Sequence, residues 1–231
     1  MSLHAQPAYP NSARSALELV FHEDDALLPL KAVSTSLHFS RDQTIFNEGD
    51  AARYSYKLVE GGVRLCKIRP DGRRQIAEFV LPGDVFGFAL DEEYSLTAEA
   101  LGDVIVLRWP RGQVERLAEE LPPLRKELMA MLCRELSAAQ EHLVMLGRQT
   151  AKERVASFLL LIANRRDAGD GDQLLLPMGR QDIADYLGLT IETVCRALTD
   201  LKRERLIEIP DRHHIELRNL AALEDVAEGG E

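Results

Sequence analysis

The sequence is poor in cysteine and has no long apolar run. Its three cysteines, Cys66, Cys133 and Cys195, are far apart and odd in number, so they predict neither a disulfide framework nor a zinc site. No apolar run approaches the ~18 residues of a membrane span, and residues 1–20 lack the apolar block of a secretory signal. These absences predict a reduced, cytoplasmic protein without a membrane partner.

An excess of basic residues is missing as well. The 231 residues carry a formal net charge of −10, which argues against a protein that binds nucleic acid through its overall positive charge. Residues 148–218 are nevertheless balanced, with twelve basic and twelve acidic residues, whereas residues 219–231 have four acidic residues and no basic one. A nucleic-acid contact within 148–218 would therefore depend on a locally basic face.

Residues 180–205 have the pattern of two short helices joined by a tight turn. Ile183 and Leu187 lie on one face of the first helix, and Gly188 suits the turn because glycine readily adopts a positive φ. The hydroxyl of Thr190 can cap the second helix. The inward positions of the second helix recur at helical spacing: Val194, Leu198 and Leu201. This pattern predicts a helix-turn-helix, although two amphipathic helices with a glycine link also occur in other α-helical domains.

The neighbouring segments make this prediction more specific. A short apolar strand at 174–176 precedes the two helices. After them, apolar runs at 206–209 and 213–217 enclose the turn residues 210–212, which is a hairpin signal. A helix-turn-helix followed by a hairpin is a winged helix, whose second helix reads base edges in the major groove of DNA. The residues that we expect to contact DNA are Arg180, Gln181, Thr190, Ile191, Glu192, Thr193, Cys195 and Arg196.

The N-terminal half has the pattern of a small β domain. Between residues 37 and 109, about eight short alternating runs are separated by turn residues, which predicts an antiparallel β-roll or jelly roll.

A helical segment follows, from residue 111 to about residue 146. Its apolar residues recur at intervals of four, four, three, four and three positions, which is the spacing of a seam against a partner helix. A helix that packs on its own domain is the alternative. The residues expected at the dimer seam are Leu128, Leu132, Leu136, Ala139, Leu143 and Leu146. We further expect a helix at 150–166, a charged loop at 165–172 and a frayed acidic tail at 221–231.

Several motifs resemble those of a known family. The sequence QDIA at 181–184, Gly188, ETV at 192–194 and Arg196 resemble the superfamily of catabolite activators and fumarate–nitrate reduction regulators, abbreviated CRP/FNR. Within that superfamily, the stretch LPMGRQDIADYLGLTIETVCRAL is most similar to FixK-type transcription regulators.

The resemblance implies an α+β fold in three segments. These are an N-terminal arm with a cyclic-nucleotide-binding-type β-roll at 1–110, a long dimerisation helix at 111–147 and a C-terminal winged helix-turn-helix at 148–231. It also implies a homodimer that binds double-stranded DNA at a TTGA…TCAA-type palindrome, where Glu192 and Arg196 read the G·C pair. In the family, a loop at the place of 165–172 contacts RNA polymerase. FixK-type relatives imply an activator in the control of low-oxygen or nitrogen metabolism.

The β-roll departs from family members that bind a small molecule. Cyclic-nucleotide binders hold the ribose with a Glu and the phosphate with an Arg, whereas Phe88 and Tyr94 stand at those positions here. A phosphate without its cation would be held poorly. Iron–sulfur relatives need clustered cysteines near the N-terminus, and no cysteine precedes Cys66. We therefore expect no cofactor, and a β-roll that binds haem or another small ligand remains the alternative.

A β-roll can also belong to a cupin-like metal enzyme, which is the remote alternative. That chemistry needs a His-x-His pair together with a further His and a Glu on strands. The one close pair among the six histidines is His213 and His214, which are adjacent and lie in the predicted wing. The sequence therefore predicts neither a catalytic residue nor a metal site.

Two positions on the second helix differ from those of relatives. Ile191 replaces an Arg that catabolite activators commonly carry, so it offers only an apolar contact, for example to a thymine methyl. Cys195 stands where relatives usually have Ser or Gly. It is either a small residue at a crowded contact or a redox-sensitive thiol, because a neighbouring arginine and a helix N-terminus favour the reactive thiolate. Cys66 and Cys133 are expected to be buried and inert.

Overall fold

The computed structural model describes residues 25–89, 91–165 and 173–230. Most of the predicted loop at 165–172 therefore lies outside the described residues. Among the described helices, none combines the length and the apolar character that a membrane crossing requires.

The chain divides by its internal contacts into two units. We call the first the β-roll unit and the second the helical unit; they comprise residues 1–63 with 80–132, and residues 64–79 with 133–231. The hairpin at 64–79 thus belongs with the C-terminal part of the chain. The proposed segment limits at 1–110, 111–147 and 148–231 remain predictions.

Eight short strands follow one another between residues 35 and 110, as the alternating runs predict. They are β1 (Thr35–Phe39), β2 (Thr44–Phe46), β3 (Tyr54–Glu60), β4 (Val63–Ile68), β5 (Arg74–Val80), β6 (Val85–Phe86), β7 (Thr97–Ala100) and β8 (Val104–Pro110). In the β-roll unit, one sheet has the order β1-β8-β3-β6, and β2 pairs with β7. All of these pairs are antiparallel, which confirms the β-roll.

The core of the β-roll unit gathers around Trp109. The indole is fully buried, and its N–H donates to the hydroxyl of Ser34 at 2.7 Å, so the one polar group of the ring is satisfied. A 3-10 helix, Leu28–Val33, covers this side of the sheet. The buried residues of the cluster are Leu27, Leu30, Leu107, Trp109, Val114 and Leu124.

The helical segment after β8 is two helices rather than one. Helix α1 (Arg111–Glu120) ends at Leu121, whose φ of −121° and ψ of 95° are extended. Helix α2 (Pro122–Arg148) then runs for 27 residues. The residue before a proline is disfavoured in the α region, whereas proline itself suits the first helical position. Pro122 therefore accounts for both the break and the new start.

The helical unit contains a second set of helices and a small sheet. Its helices after α2 are α3 (Ala151–Asn164), α4 (Arg180–Leu187), α5 (Ile191–Arg203) and α6 (Leu220–Ala227), and its strands after the β4–β5 hairpin are β9 (Gln173–Leu175), β10 (Ile207–Glu208) and β11 (His214–Leu217). The order of the sheet is β10-β11-β9. The β10–β11 hairpin follows α5, as the winged-helix pattern predicts.

The prediction of a frayed tail at 221–231 is wrong for most of that segment. The side chain of Asn219 accepts a hydrogen bond from the N–H of Ala222 at 3.1 Å, which caps α6. Leu223 is fully buried, and α6 packs against α3. Glu224 and Asp225, two of the acidic residues that suggest a tail, lie on the exposed side of this helix.

Candidate nucleic-acid interface

The turn between α4 and α5 has the geometry of a helix-turn-helix. Gly188 has a φ of 63° and a ψ of 36°, a left-handed conformation that glycine adopts without strain. The N–H groups of Gly188 and Leu189 both donate to the carbonyl oxygen of Ala184, which closes α4. Ile183, Ala184 and Leu187 are buried, so α4 packs through the predicted face.

Helix α5 has one buried face and one exposed face. The hydroxyl oxygen of Thr190 accepts a hydrogen bond from the N–H of Thr193 at 3.3 Å, so Thr190 caps α5 as predicted. The inward residues are buried: Val194, Ala197, Leu198 and Leu201. On the other face, Glu192, Cys195 and Arg196 are exposed, while Ile191 and Thr193 are half-buried. The structure therefore brings the predicted α5 residues onto one accessible surface.

Glu192 and Arg196 are four residues apart, a spacing at which a helix can form an ion pair. In the part of the chain that the structure describes, Arg196 has no ion-pair partner. The carboxylate of Glu192 turns to the start of α5, where its own backbone N–H and then the Thr190 hydroxyl lower its pKa. The five N–H donors of the Arg196 guanidinium are consequently available to an incoming ligand.

Arg180 lies at the start of α4 and interacts electrostatically with Cys195 of α5 and with Arg212 of the wing turn. Arg180 is half-buried, and burial lowers the pKa of its guanidinium. The positive charge of Arg212 lowers this pKa further, whereas Cys195 raises it. The side-chain amide of Gln181 donates to a carboxylate oxygen of Asp185 at 2.7 Å. Gln181 is therefore engaged within α4, and its backbone N–H is the group it can offer to a phosphate.

The wing turn adds one cation that the sequence reasoning missed. Asp211 accepts hydrogen bonds from the N–H groups of His213 and His214 at 2.8 and 3.0 Å, and these bonds hold the pKa of Asp211 below its usual value. The turn thus fixed exposes Arg212. Its position within the predicted hairpin turn was the signal that would have found it.

A second missed feature is an ion-pair network between the β4–β5 hairpin and α4. Arg64 and Arg74 both donate to one carboxylate oxygen of Asp182, at 3.1 and 2.7 Å, and Arg74 also donates to Asp185 at 3.0 Å. The side chains of Arg64 and Asp182 are only 9% and 13% exposed. More than 100 residues separate the partners along the chain, so no local pattern could have predicted the pairing.

Comparisons with known proteins assign this fold to a family. Residues 36–120 match the family described as the cyclic nucleotide-binding domain, and residues 153–226 match the Crp-like helix-turn-helix domain. The chain belongs to the CRP/FNR family of transcription regulators. It is a DNA-binding regulator and not an enzyme, so the cupin-like alternative is excluded.

Similar CRP/FNR relatives include two nitrogen fixation regulation proteins called FixK. The protein from Bradyrhizobium diazoefficiens is 47% identical over 75% of this chain and 74% of its own length. The protein from Azorhizobium caulinodans is 45% identical over 83% of this chain and 79% of its own length. The solved structure of FixK2 from Bradyrhizobium japonicum matches with a TM-score of 0.80 and 41% identity, covering 84% of this chain and 97% of that one. The predicted resemblance is thus confirmed.

The predicted dimer seam of the regulator is exposed in its middle part and packed at its ends. Leu136 and Leu143 are 60% and 70% exposed, and Leu132 and Ala139 are exposed as well. Leu128, however, packs against the core cluster of the β-roll unit, and Leu146 is half-buried. The end residues of the seam therefore contribute to packing within their own chain.

The three cysteines of the regulator differ in exposure. Cys66 is buried, as predicted, and Cys195 is exposed. The expectation that Cys133 is buried is wrong, because it lies in the part of α2, residues 132–141, in which every residue is exposed. Two thiols are consequently open to solvent.

The position expected for a small ligand in the β-roll unit is lined by stacked aromatic rings. The centroids of Phe46 and Tyr94 are 3.8 Å apart, and Tyr56 and Phe86 stack beside them at 5.5 and 6.1 Å from Phe46. The Tyr94 hydroxyl donates to the carbonyl of Tyr54 at 2.6 Å. Burial raises the pKa of Tyr56 above its usual value, as expected for a phenol kept from water.

Proposed function

We propose that this regulator is a homodimeric activator that binds a TTGA…TCAA-type palindrome in double-stranded DNA, without a cyclic nucleotide or an iron–sulfur cluster. The observation that carries the proposal is the exposed face of α5, which presents Glu192, Cys195 and Arg196 to solvent. A charged face on the second helix of a helix-turn-helix suits the major groove.

Base reading falls to two side chains of this face. The Glu192 carboxylate is a pure acceptor and can take a hydrogen bond from the N4 amino group of cytosine. The Arg196 guanidinium can donate two parallel hydrogen bonds to O6 and N7 of guanine. Acceptor and donor on neighbouring turns thus fit the two partners of one G·C pair, whereas Ile191 fits a thymine methyl.

The remaining residues of the face suit the DNA backbone. Arg180 at the start of α4 and Arg212 in the exposed wing turn are cations, and Thr190 and Thr193 carry hydroxyls at the start of α5. The backbone N–H of Gln181 lies in the first turn of α4, where the helix dipole favours a phosphate. These contacts fix the register of the protein on DNA and carry no sequence information themselves.

A homodimer is proposed because the middle part of the apolar seam of α2 is exposed. Leu132, Leu136, Ala139 and Leu143 form an accessible stripe, and a second copy of the same helix would cover it with matching residues. A two-fold dimer also presents two copies of α5, which is what a palindrome requires.

The biological setting is proposed from the relatives. Proteins named as nitrogen fixation regulators and a relative named transcriptional activator protein FnrL, 31% identical, suggest an activator in low-oxygen or nitrogen-metabolism control. Such a protein acts in the cytoplasm and contacts RNA polymerase, for which the loop at 165–172 is the proposed surface.

Binding of the purified, full-length regulator to short duplexes tests the proposal. A TTGA…TCAA duplex should bind far more tightly than one in which the G·C pair of each half-site is exchanged for A·T, because each wrong pair costs roughly tenfold in affinity. Light scattering should give the mass of a dimer, and the absorbance spectrum of native protein should lack a haem Soret band. Equal affinity for both duplexes, a monomeric mass or a Soret band would each overturn the corresponding part.

A further inference from the structure

The guanidinium of Arg154 makes three hydrogen bonds at the junction between α2 and α3. Arg154 lies in the first turn of α3, and its Nε donates to the carbonyl oxygen of Gln149 at 2.9 Å. Its Nη2 donates to the carbonyl of Leu146 at 2.8 Å, and its Nη1 donates to the carbonyl of Leu187 at 3.0 Å. One side chain therefore binds the C-terminal ends of both α2 and α4.

These carbonyls are groups that a helix cannot satisfy by itself. The last four carbonyls of an α-helix have no partner within the helix, and they form the negative end of its dipole. The guanidinium of Arg154 is half-buried between two such ends, so its positive charge interacts favourably with both helices. Arginine suits this place because its planar fork presents several donors in fixed directions, whereas lysine has one compact ammonium group.

The end of α4 is held by side chains from three different elements. The carbonyl of Asp185 accepts from the amide of Gln75 on β5 at 2.8 Å, and the carbonyl of Tyr186 bonds with the imidazole of His142 on α2 at 3.1 Å. The carbonyl of Leu187 accepts from Arg154. Among the described contacts of these three donors, those of Arg154 alone reach the terminal carbonyls of both helices.

The rest of the junction has little freedom to move independently. The side chain of Gln149 accepts from the hydroxyl of Ser157 at 3.0 Å and donates to the carbonyl of Ala227 at 2.8 Å. Thr150 and Glu153 form a reciprocal capping box at the start of α3. The chain that leaves α2 is thus tied to α3 and α6 within two residues, and Arg154 adds α4 to the same assembly.

We propose that Arg154 is a positioning residue that sets the orientation of the helix-turn-helix relative to the end of α2, and thereby the half-site spacing that the dimer accepts. The inference rests on the proposed function, because spacing has meaning only for a dimer on a palindrome. A spacer changed by one base pair moves a half-site by about 3.4 Å and rotates it by roughly 35°. A rigid junction rejects such a change, whereas a loosened junction follows it.

The test compares Arg154→Lys and Arg154→Met with Val155→Ala in the full-length regulator. Val155 is a buried neighbour in α3, so its truncation destabilises the same helix without removing a polar contact. Affinities are measured for the palindrome with its best spacer and for duplexes with the spacer one base pair shorter or longer. Light scattering and thermal unfolding are recorded for each variant.

Wild type and Val155→Ala should prefer the best spacer by roughly tenfold or more, whereas the Arg154 variants should bind the three duplexes with affinities within about threefold of one another. All four proteins should remain dimeric. Unchanged spacing preference in Arg154→Lys and Arg154→Met would refute the positioning role, as would an equal loss in Val155→Ala. If Arg154→Met does not fold, Arg154→Lys, which keeps the charge and stem, decides. A wild-type protein that is monomeric or binds no palindrome contradicts the proposed function instead.

Discussion

Helix α5 and the interior of the β-roll unit are the two places at which this family's fold offers a surface to a ligand, and their character is opposite. On α5, the side chains of Glu192, Cys195 and Arg196 stand in solvent. In the β-roll unit, Phe46 and Tyr94 stack on each other at 3.8 Å. The polar groups of the exposed face can hydrogen-bond to a partner, whereas the stacked rings pack against one another and the Tyr94 hydroxyl is already bonded to the carbonyl of Tyr54. The α5 face is thus accessible to a partner, whereas the four rings already contact one another.

The largest expected effect comes from disrupting the proposed dimer, which would supply the second copy of the α5 face. Leu136→Glu combined with Leu143→Glu should give monomers, because it places charge in the exposed seam of α2. Affinity for the palindrome should fall by roughly 100-fold or more, since the two half-sites no longer bind as one unit. Light scattering and operator titration measure both effects.

Ala138→Glu is the matched control for this pair. Ala138 is exposed and lies on the opposite side of α2 from Leu136 and Leu143, given 3.6 residues per turn. It should leave mass and affinity unchanged. A double variant that keeps the dimeric mass would place the interface elsewhere.

Removing a ring from the aromatic cluster of the β-roll unit should lower stability strongly and affect DNA binding only weakly. Phe46→Ala removes the ring that contacts Tyr56, Phe86 and Tyr94, and it should lower the free energy of unfolding by about 3–5 kcal/mol. Phe46→Leu should cost less, because it leaves a smaller cavity. Urea unfolding measures the loss, and titration at a temperature where the variant is folded should give an operator affinity close to that of wild type. A large loss of affinity in the folded variant would show that the cluster and DNA binding are coupled.

Single substitutions on the exposed face of α5 test which side chains read the DNA bases. Glu192→Ala and Arg196→Ala should each reduce cognate affinity roughly 10- to 100-fold and blur the preference for the G·C pair. Random DNA should lose much less affinity. Equal losses on cognate and random duplexes, together with a shallower salt dependence, would instead indicate phosphate contacts.

Arg203→Ala provides the control for lost charge. Arg203 lies in the last turn of α5, where it pairs with Asp200 at 3.0 Å. Its removal takes away the same charge from the same helix without touching the proposed reading face. Base preference should therefore be retained in this variant.

The smallest expected effect concerns oxidation of Cys195. This exposed thiol lies beside Arg196 and interacts electrostatically with Arg180, so a sulfinate there would add negative charge to a face that must approach phosphates. Peroxide should reduce operator affinity about tenfold in wild type and leave Cys195→Ser unchanged. Because Cys133 is also exposed, Cys133→Ser is the control and should respond like wild type. Equal loss in the two serine variants would leave Cys195 as a small residue at a crowded contact.

Local patterns made the helix-turn-helix and the β-roll predictable. Gly188 and Thr190 act through their own backbone and their nearest neighbours, and the periodicity of Val194, Leu198 and Leu201 reports which face is buried. The strands were equally accessible to prediction, since turn residues separate them. These features depend on residues within a few positions of one another.

The rest depends on partners that are distant in the chain. Arg74 and Asp185 look like ordinary surface charges until folding brings them to 3.0 Å. The acidic composition of 221–231 favours a loose tail, although Leu223 within it is buried. The position of Cys133 in a long helix favours burial, whereas the residues around it at 132–141 are all exposed. In each case the burial or pairing of a residue depends on a segment that is distant in the chain, which local composition does not reveal.

The hairpin at 64–79 has a consequence for dissecting the regulator. A fragment that starts at residue 148 would keep Asp182 and Asp185 but lose Arg64 and Arg74, and it would also lose the amide of Gln75 from the end of α4. The carboxylates of Asp182 and Asp185 would then lack their arginine partners and would repel each other. The helical unit is therefore made of two separate stretches of the chain, 64–79 and 133–231. Exchanging it between relatives requires both stretches to be transplanted together.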